Sequence, residues 1–260
     1  MNLKEAIYEG LQILQVDKDI AFQASRKNVQ ADVIYVTELS SCPRKWVLEA
    51  ISHKNSGPAL SVFDSKTLLI FADGNATEDT LVKAIGSSPL KLLNVQASVT
   101  MQLSGTSYMI RGRTDATVDF ADNGGHKPIE IKSMNSRNFA MALNFGPKSA
   151  HVNQLSFYIH ASKASGGHLL YKEKNSGEMQ EFYISDVQAQ EHMDRILPLW
   201  TQAVQDFGSI NPLPLAGMQR ADITSPDECA YCNHKVSCNK ATRGETLTVM
   251  TQEDVRAPWI

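Results

Sequence analysis

The chain has 260 residues, a net charge of −3, 42% hydrophobic residues and 20% charged residues, which is the composition of an ordinary globular protein. It contains no run of about 18 apolar residues, so no membrane-spanning helix and no membrane association are expected. The net charge gives no general argument for nucleic-acid binding, although a local basic groove on an acidic protein is compatible with it.

The first 55 or so residues have a mainly helical pattern. Apolar residues in 1–15 recur at helical spacing without a basic stretch before them, which favours an amphipathic helix over a signal peptide. A cytoplasmic location is therefore expected. Residues 60–86 continue the helical pattern as far as Gly86, a typical stop residue.

The pattern changes to strands at residue 95 and mixes strands with helices from there on. Strands are predicted in 95–103, 108–125 and 127–134, with a hairpin at the Gly-rich stretch between the last two. The later segments are a helix (149–164), a hairpin that turns at 175–177 (167–184) and a long helix (186–208).

This order of elements predicts an α/β fold with a central mixed sheet flanked by helices. We divide the chain into an N-terminal helical region (1–94), a core (95–208) and a C-terminal cysteine module with a tail (209–260).

Three charged residues in neighbouring strands form the most informative pattern. Glu130 and Lys132 are two residues apart and therefore lie on one face of a strand, and the hairpin can bring Asp115 beside them. Two close carboxylates repel each other unless a cation lies between them, and oxygen ligands suit Mg²⁺ or Mn²⁺. A lysine there could orient water or stabilise charge on a phosphate. The pattern indicates metal-assisted phosphodiester hydrolysis, whereas an isolated Glu-x-Lys pair is usually only a solvated surface.

The segments "GRTDAT", "IEIK" and "QLSFY" resemble the motifs of the PD-(D/E)XK nucleases of the RecB-like type. The resemblance implies a restriction-endonuclease-like core in which two carboxylates and a backbone carbonyl bind the metal, a lysine completes the motif and a Q-x-x-x-Y helix lies over the DNA-facing side. The corresponding residues are Asp115, Glu130, the carbonyl of Ile131, Lys132, Gln154 and Tyr158.

The same family has an upstream motif of a glycine followed four residues later by histidine or glutamate. Here "GNATE" supplies Gly74 and Glu78, so the resemblance implies that Glu78 is a further metal ligand. Thr114 stands where the family usually has proline.

Cys229, Cys232 and Cys238 are spaced C-x₂-C-x₅-C, which is a strong metal-site signal. Two residues are candidates for the fourth ligand. His234 would complete a zinc site, whereas the remote Cys42 would complete the four thiolates of an iron–sulfur cluster. The chain resembles the RecB-like branch of CRISPR-associated exonucleases and AddB-type nucleases, which has one cysteine before the core and three after it. That resemblance implies a structural [4Fe–4S] cluster.

The expected function is therefore a Mg²⁺- or Mn²⁺-dependent deoxyribonuclease, an exonuclease on single-stranded DNA or on DNA ends. The chain has no P-loop motif, so any unwinding of DNA would come from a partner protein of the helicase or integrase type. The alternatives are a catalytically inactive nucleic-acid-binding adaptor on the same fold and a zinc-stabilised nuclease. Side chains expected to contact DNA are Arg44, Lys45, Trp46, Arg113 and Lys172.

Overall fold

The computed structural model describes residues 2–26, 32–48, 64–120 and 125–209, together with Cys232. Within these ranges, none of the helices has both the length and the apolar character needed to cross a membrane. The helices are α1 (Leu3–Arg26), α2 (described over 43–48), α3 (Ser65–Gly86), α4 (Ser136–Phe145), α5 (Ser149–Ser162) and α6 (Asp186–Ser209). The strands are β1 (Val33–Tyr35), β2 (Lys91–Val95), β3 (Ser98–Gln102), β4 (Met109–Arg113), β5 (Ala116–Asp119), β6 (His126–Met134), β7 (Gly166–Glu173) and β8 (Met179–Ser185).

Polar residues at the helix starts define where several helices begin. Asp64 precedes α3 and accepts a hydrogen bond from the Thr67 backbone N–H at 2.7 Å, and Asn135 caps α4 in the same way through the Asn138 N–H at 2.8 Å. Such side chains satisfy backbone donors that have no partner inside the helix.

One long antiparallel ribbon connects two sheets. Strands β2 and β3 run against β5 and β4, with Val95 opposite Ala116 and Ser98 opposite Arg113, and the β2–β5 pair has a register shift between Leu92 and Asn94. The ribbon bends between these pairs: Gln96 adopts φ 51°, and the Thr114 N–H donates to the Ala97 carbonyl at 3.1 Å. One arm therefore enters a three-stranded sheet, ordered β1-β4-β3, and the other enters a five-stranded sheet, ordered β2-β5-β6-β7-β8.

The five-stranded sheet is mixed. Strands β6 and β7 are parallel, with Glu130 opposite Leu169 and Lys132 opposite Tyr171, and the other pairs are antiparallel. The parallel pair requires a crossover, which α4 and α5 provide.

Each face of this sheet is packed against different helices. On the face that includes Glu130 and Lys132, residues of α4, α5 and α6 form an apolar cluster with Met134, Leu169 and Tyr171. On the opposite face, Ile129 and Ile131 pack with α3 residues. A third cluster joins β1, α2, β4, α5 and α6 around Trp200.

Helix α5 is buried along most of its length, from Val152 to Ile159. It packs against β6 and β7 on one side and against α6 and β3 on the other. A helix between two packed layers has no solvent face, so polar side chains in its middle turn face the protein interior.

The structure confirms much of the predicted order: the mixed sheet, the two hairpins, the helix within 149–164 and the long helix after 186. It adds strand β1, where a helical pattern was expected, and helix α4, which was not predicted. Helix α1 is present, but its apolar residues Leu3 and Leu14 are exposed. The predicted cysteine module lies outside the described residues apart from Cys232.

Candidate active site

Asp115 lies at the bend of the ribbon, between β4 and β5. Its backbone carbonyl accepts a hydrogen bond from the Gln96 N–H at 3.2 Å, and its carboxylate Oδ2 accepts one from the Ile131 N–H of β6 at 2.7 Å. The bend therefore places Asp115 beside the middle of β6, and the second bond fixes the carboxylate to the backbone of that strand.

Glu130 and Lys132 lie on one face of β6, as predicted. Lys132 Nζ forms an ion pair with Glu130 Oε1. The Glu130 side chain is fully buried, whereas that of Lys132 is 28% exposed. Neither oxygen of Glu130 accepts a hydrogen bond of normal geometry from any residue that the structure describes. A buried carboxylate oxygen without any partner, as Oε2 is among the described residues, is uncommon in a stable fold and is typical of a site that binds a ligand or ion.

Glu78 approaches this group from α3. Its Oε1 accepts a hydrogen bond from Gln96 Nε2 at 3.0 Å, and its charge acts on both Asp115 and Glu130. One turn earlier in α3, a Cβ at Gly74 would lie 3.7 Å from Ser133 Oγ, so the helix passes close to β6 just beyond Lys132. The structure thus brings the four predicted polar residues into one region.

Burial and mutual repulsion raise the pKa values of the carboxylates. Burial raises the pKa of Asp115 to about 6, against the opposing effect of the Ile131 N–H. Burial also raises the pKa of Glu130, with Asp115 and Glu78 adding to the effect and Lys132 opposing it. Burial disfavours the Lys132 ammonium, but Glu130 outweighs this and raises the pKa of Lys132. The site is therefore short of positive charge.

Gln154 and Tyr158 support the site from α5. The Tyr158 hydroxyl donates to the Arg113 carbonyl at 2.8 Å and accepts from the Arg113 N–H at 3.2 Å and from Gln154 Nε2 at 3.3 Å. These bonds fix the backbone two residues before Asp115, at the start of the bend. In this structure the pair positions the ribbon.

The residues expected to contact DNA fall into two groups. Arg113 is exposed and its charge acts on Asp115, which places it beside the site. Trp46 is buried edge-to-face against Tyr108 and Trp200. It therefore belongs to the core and does not present its ring to a nucleic-acid strand.

Two further corrections concern basic residues. Arg44 is only 5% exposed, so its guanidinium lies within the protein, while its neighbour Lys45 is half-buried. Lys172 pairs with Ser133, and strand alternation puts it on the opposite face of the sheet from Lys132. Its Nζ donates to the Glu173 carbonyl at 3.3 Å.

The donor set suits a divalent cation. Carboxylate oxygens are the ligands of Mg²⁺ and Mn²⁺, and Glu130 Oε2 is buried with no hydrogen-bond partner among the described residues. Within these residues no three His, Cys, Asp or Glu side chains converge closely enough to hold one metal ion as they stand. In this arrangement Lys132 contacts Glu130 Oε1, and Gln96 donates to Glu78 Oε1.

Cys42 stands immediately before α2, where its carbonyl accepts the Trp46 N–H at 3.2 Å and Pro43 occupies the first helical position. Proline at that position is favourable because its missing N–H would have no partner there. Cys42 and Cys232 are both half-buried. The other two cysteines of the predicted cluster, Cys229 and Cys238, lie outside the described residues.

Sequence reasoning missed three residues that shape the site. Gly112 lies under the Tyr158 ring, where an added Cβ would be 2.6 Å from Tyr158 Cε1. His151 and Tyr171 contact each other beside Lys132, with His151 Nδ1 2.8 Å from the Tyr171 hydroxyl oxygen. The only sequence signal for His151 is its position three residues before Gln154, on the same side of a helix.

Comparison with solved structures gives similar folds at low identity. The crystal structure of SSO0001 matches with a TM-score of 0.54 and 19% identity, covering 86% of this chain and 94% of that one. An alkaline exonuclease, LHK-Exo from Laribacter hongkongensis, matches with a TM-score of 0.48 and 11% identity over 68% of this chain and 90% of its own. Its complex with dAMP also has a TM-score of 0.48, with 10% identity over 67% and 89%.

Comparison with curated proteins gave no significant match. The family model described as the PD-(D/E)XK nuclease superfamily matches residues 79–239, which span Asp115, Glu130 and Lys132. Because this match covers more than half of the sequence, the chain belongs to the PD-(D/E)XK nuclease superfamily.

Proposed function

We propose that the chain is a Mg²⁺- or Mn²⁺-dependent deoxyribonuclease that degrades single-stranded DNA from an end. The observation that carries this proposal is the placement of Asp115 by the Ile131 N–H next to the buried Glu130 and its partner Lys132. Burying ionisable groups costs folding free energy, and clusters of such groups with shifted pKa values are typical of functional sites.

Asp115, Glu130, Glu78 and the carbonyl of Ile131 are the groups that would hold the cation. When bound, a divalent cation acts as a Lewis acid on a phosphoryl oxygen and offsets the negative charge of the reacting phosphate. Metal binding requires ionised carboxylates. Burial raises the pKa values of Asp115 and Glu130, and a bound cation would favour their ionised forms.

The protein's own groups have distinct tasks. The partly exposed Lys132 ammonium can stabilise charge that develops on the phosphate or orient an attacking water. Gln154 and Tyr158 hold the Arg113 backbone and so keep Asp115 in position. Arg111 and Arg113 are exposed at alternate positions of β4, where they can attract the DNA backbone.

The preference for single-stranded ends comes from the resemblance to RecB-like nucleases. Since the chain has no P-loop, duplex DNA would have to be opened by a helicase or integrase-type partner before it became a substrate.

A direct test compares linear and circular single-stranded DNA incubated with Mg²⁺, Mn²⁺ or EDTA. We expect metal-dependent degradation of linear DNA and survival of the circle, because an exonuclease needs an end. Asp115→Asn should slow degradation by about 100-fold or more, whereas the same change at Asp79, an exposed residue of α3, should have no effect. Equal activity of the Asp115 variant would reject this site, and cleavage of the circle would reject the exonuclease mode.

We further propose that Cys42, Cys229, Cys232 and Cys238 hold a structural [4Fe–4S] cluster. In its support, Cys42 begins a helix, and the positive end of a helix favours the thiolate that such a cluster requires. The cluster would connect the N-terminal region to the segment that follows α6.

Metal content and the absorption spectrum of anaerobically purified protein test this assignment. We expect iron and a visible absorption band that Cys42→Ala removes and His234→Ala preserves. A colourless protein with stoichiometric zinc that depends on His234 would favour the zinc alternative.

A further inference from the structure

His151 packs against buried side chains beside β6, the strand that carries Glu130 and Lys132. Its ring lies edge-to-face on Tyr171, with centroids 5.5 Å apart and planes at 83°. Tyr171 is the neighbour of Lys132 across the β6–β7 pair. His151 also precedes Gln154 by three residues in α5, which puts both on one side of that helix.

The hydrogen bonds at Tyr171 fix the tautomer of His151. The Tyr171 hydroxyl accepts the Lys148 backbone N–H at 3.0 Å and lies 2.8 Å from His151 Nδ1. Tyr171 is fully buried, so its hydroxyl proton requires an acceptor. His151 Nδ1 is the acceptor at hand, which leaves the ring proton on Nε2.

The same surroundings keep the ring neutral. Burial, together with the smaller effects of the Lys132 and Lys148 charges, lowers the pKa of His151 to about 3. A protonated ring would also place two donors against each other at Nδ1. His151 therefore cannot act as a general acid or base near neutral pH, and its chemistry is that of a fixed N–H donor.

The remaining donor, Nε2–H, faces no acceptor among the described residues. His151 is half-buried, and among the residues that the structure describes none accepts a hydrogen bond from Nε2. That nitrogen is also not among the fully buried atoms without a partner, so it keeps some access to solvent.

We infer that His151 is a substrate-binding residue whose Nε2–H donates a hydrogen bond to a DNA phosphate adjacent to the site, with Tyr171 as its positioning residue. This inference rests on the proposed function. A neutral donor suits this place because a further cation beside Lys132 and Lys148 would meet repulsion, whereas a hydrogen bond to a charged phosphate still contributes to binding.

The test measures the binding of linear single-stranded oligonucleotides in Ca²⁺, each carrying one neutral methylphosphonate at a different position. His151→Asn should weaken binding of the unmodified strand by about 10-fold or more. His151→Gln, whose longer side chain can place an amide N–H near the position of Nε2, should retain most of the affinity.

One methylphosphonate position should weaken binding to the wild type by a similar factor and leave binding to His151→Asn almost unchanged. This lack of additivity is the signature of a direct contact. If every methylphosphonate costs the same in both proteins, His151 has no phosphate contact and the inference is wrong. Wild-type protein that neither binds nor degrades DNA would instead reject the proposed function. Thermal melting of each variant separates these outcomes from misfolding.

Discussion

At the scale of single residues, the Tyr158 hydroxyl connects the Q-x-x-x-Y helix to the site. It makes three hydrogen bonds, two of them to the backbone of Arg113, and burial raises its pKa well above the ordinary value for tyrosine, so the group stays protonated. In the proposed nuclease site the hydroxyl would therefore act through the position of Asp115.

Tyr158→Phe removes that hydroxyl and leaves the Arg113 carbonyl and N–H without this partner. We expect a loss of about 1–3 kcal/mol in the free energy of unfolding and a drop in kcat of about 10- to 100-fold, because small displacements of catalytic groups have large effects. Urea unfolding measures the change in stability, and the rate of single-stranded DNA degradation measures the change in kcat. Tyr183→Phe, which loses one exposed hydrogen bond to the Ser165 carbonyl, is the control. Full activity in Tyr158→Phe would mean that Asp115 is positioned without it.

Gly112 in β4 contacts the same Tyr158 ring from the side of the strand. A Cβ there would lie 2.6 Å from Tyr158 Cε1 and 2.7 Å from Val36 Cγ1, so Gly112→Ala must displace Tyr158 or the strand. We expect destabilisation by about 1–3 kcal/mol. At Gly10 in α1 nothing lies within 4 Å of the added atom, and alanine should stabilise by up to about 1 kcal/mol through helix propensity. Chemical unfolding of both variants checks the opposite signs, and a neutral Gly112→Ala would contradict the packing.

At the scale of elements, the β7–β8 hairpin depends on one ionised side chain. The Glu173 carboxylate accepts hydrogen bonds from the Ser176 N–H, from the Asn175 N–H at 2.8 Å and from Ser136 Oγ at 2.9 Å. The backbone bond from Ser176 is the main cause that lowers the pKa of Glu173 to about 2. The carboxylate therefore connects the hairpin turn to the first residue of α4.

Because the folded-state pKa of Glu173 lies below the unfolded value of about 4.3, its contribution to stability is fully present above that value. It should be lost as the pH falls through the range from about 4 to about 2. We expect Glu173→Gln to be less stable than the wild type at pH 6 and the difference to shrink by pH 3. Unfolding at a series of pH values measures this, with Glu178→Gln in the same turn as control. A difference that does not change with pH would mean that the charge of Glu173 contributes nothing.

The elements differ in how well the sequence predicts them, and the causes are physical. Helix α5 and the β7–β8 hairpin follow from local periodicity and from a turn at Gly177, which has φ +78°. The bend of the ribbon is a tertiary feature: alternation predicts a strand through residues 95–103, but only the packing of two sheets explains why Gln96 turns left-handed. Helix α4 was missed although it is amphipathic: it is only ten residues long and falls between two predicted elements.

The candidate site shows the same division. Glu130 and Lys132 share a face because side chains alternate along a strand, so the local sequence is enough to predict this. The Asp115–Ile131 hydrogen bond and the Tyr158–Arg113 bonds join residues 16 and 45 positions apart, so their existence depends on the complete fold. Trp46 illustrates the opposite error, since a basic and aromatic stretch favoured DNA contact although the ring is a core residue.

At the scale of the whole molecule, the site lies where the two sheets meet. The ribbon supplies Asp115, β6 supplies Glu130 and Lys132, α3 supplies Glu78 and α5 supplies Tyr158. The residues of the proposed chemistry thus lie on different elements. The site therefore forms only when the five-stranded sheet, α3 and α5 are packed together. The superfamily match spans all of these residues except Glu78.

The measurement that tests the central claim most directly is the rate at which wild type and Lys132→Met release nucleotides from end-labelled linear single-stranded DNA at saturating Mg²⁺. Lys83→Met, an exposed lysine of α3, is the matched control. We expect release by the wild type and Lys83→Met at equal rates, none in EDTA, and a loss of about 100-fold or more in Lys132→Met. Undiminished release by Lys132→Met, or release that persists in EDTA, would contradict a metal-dependent nuclease site at Asp115, Glu130 and Lys132.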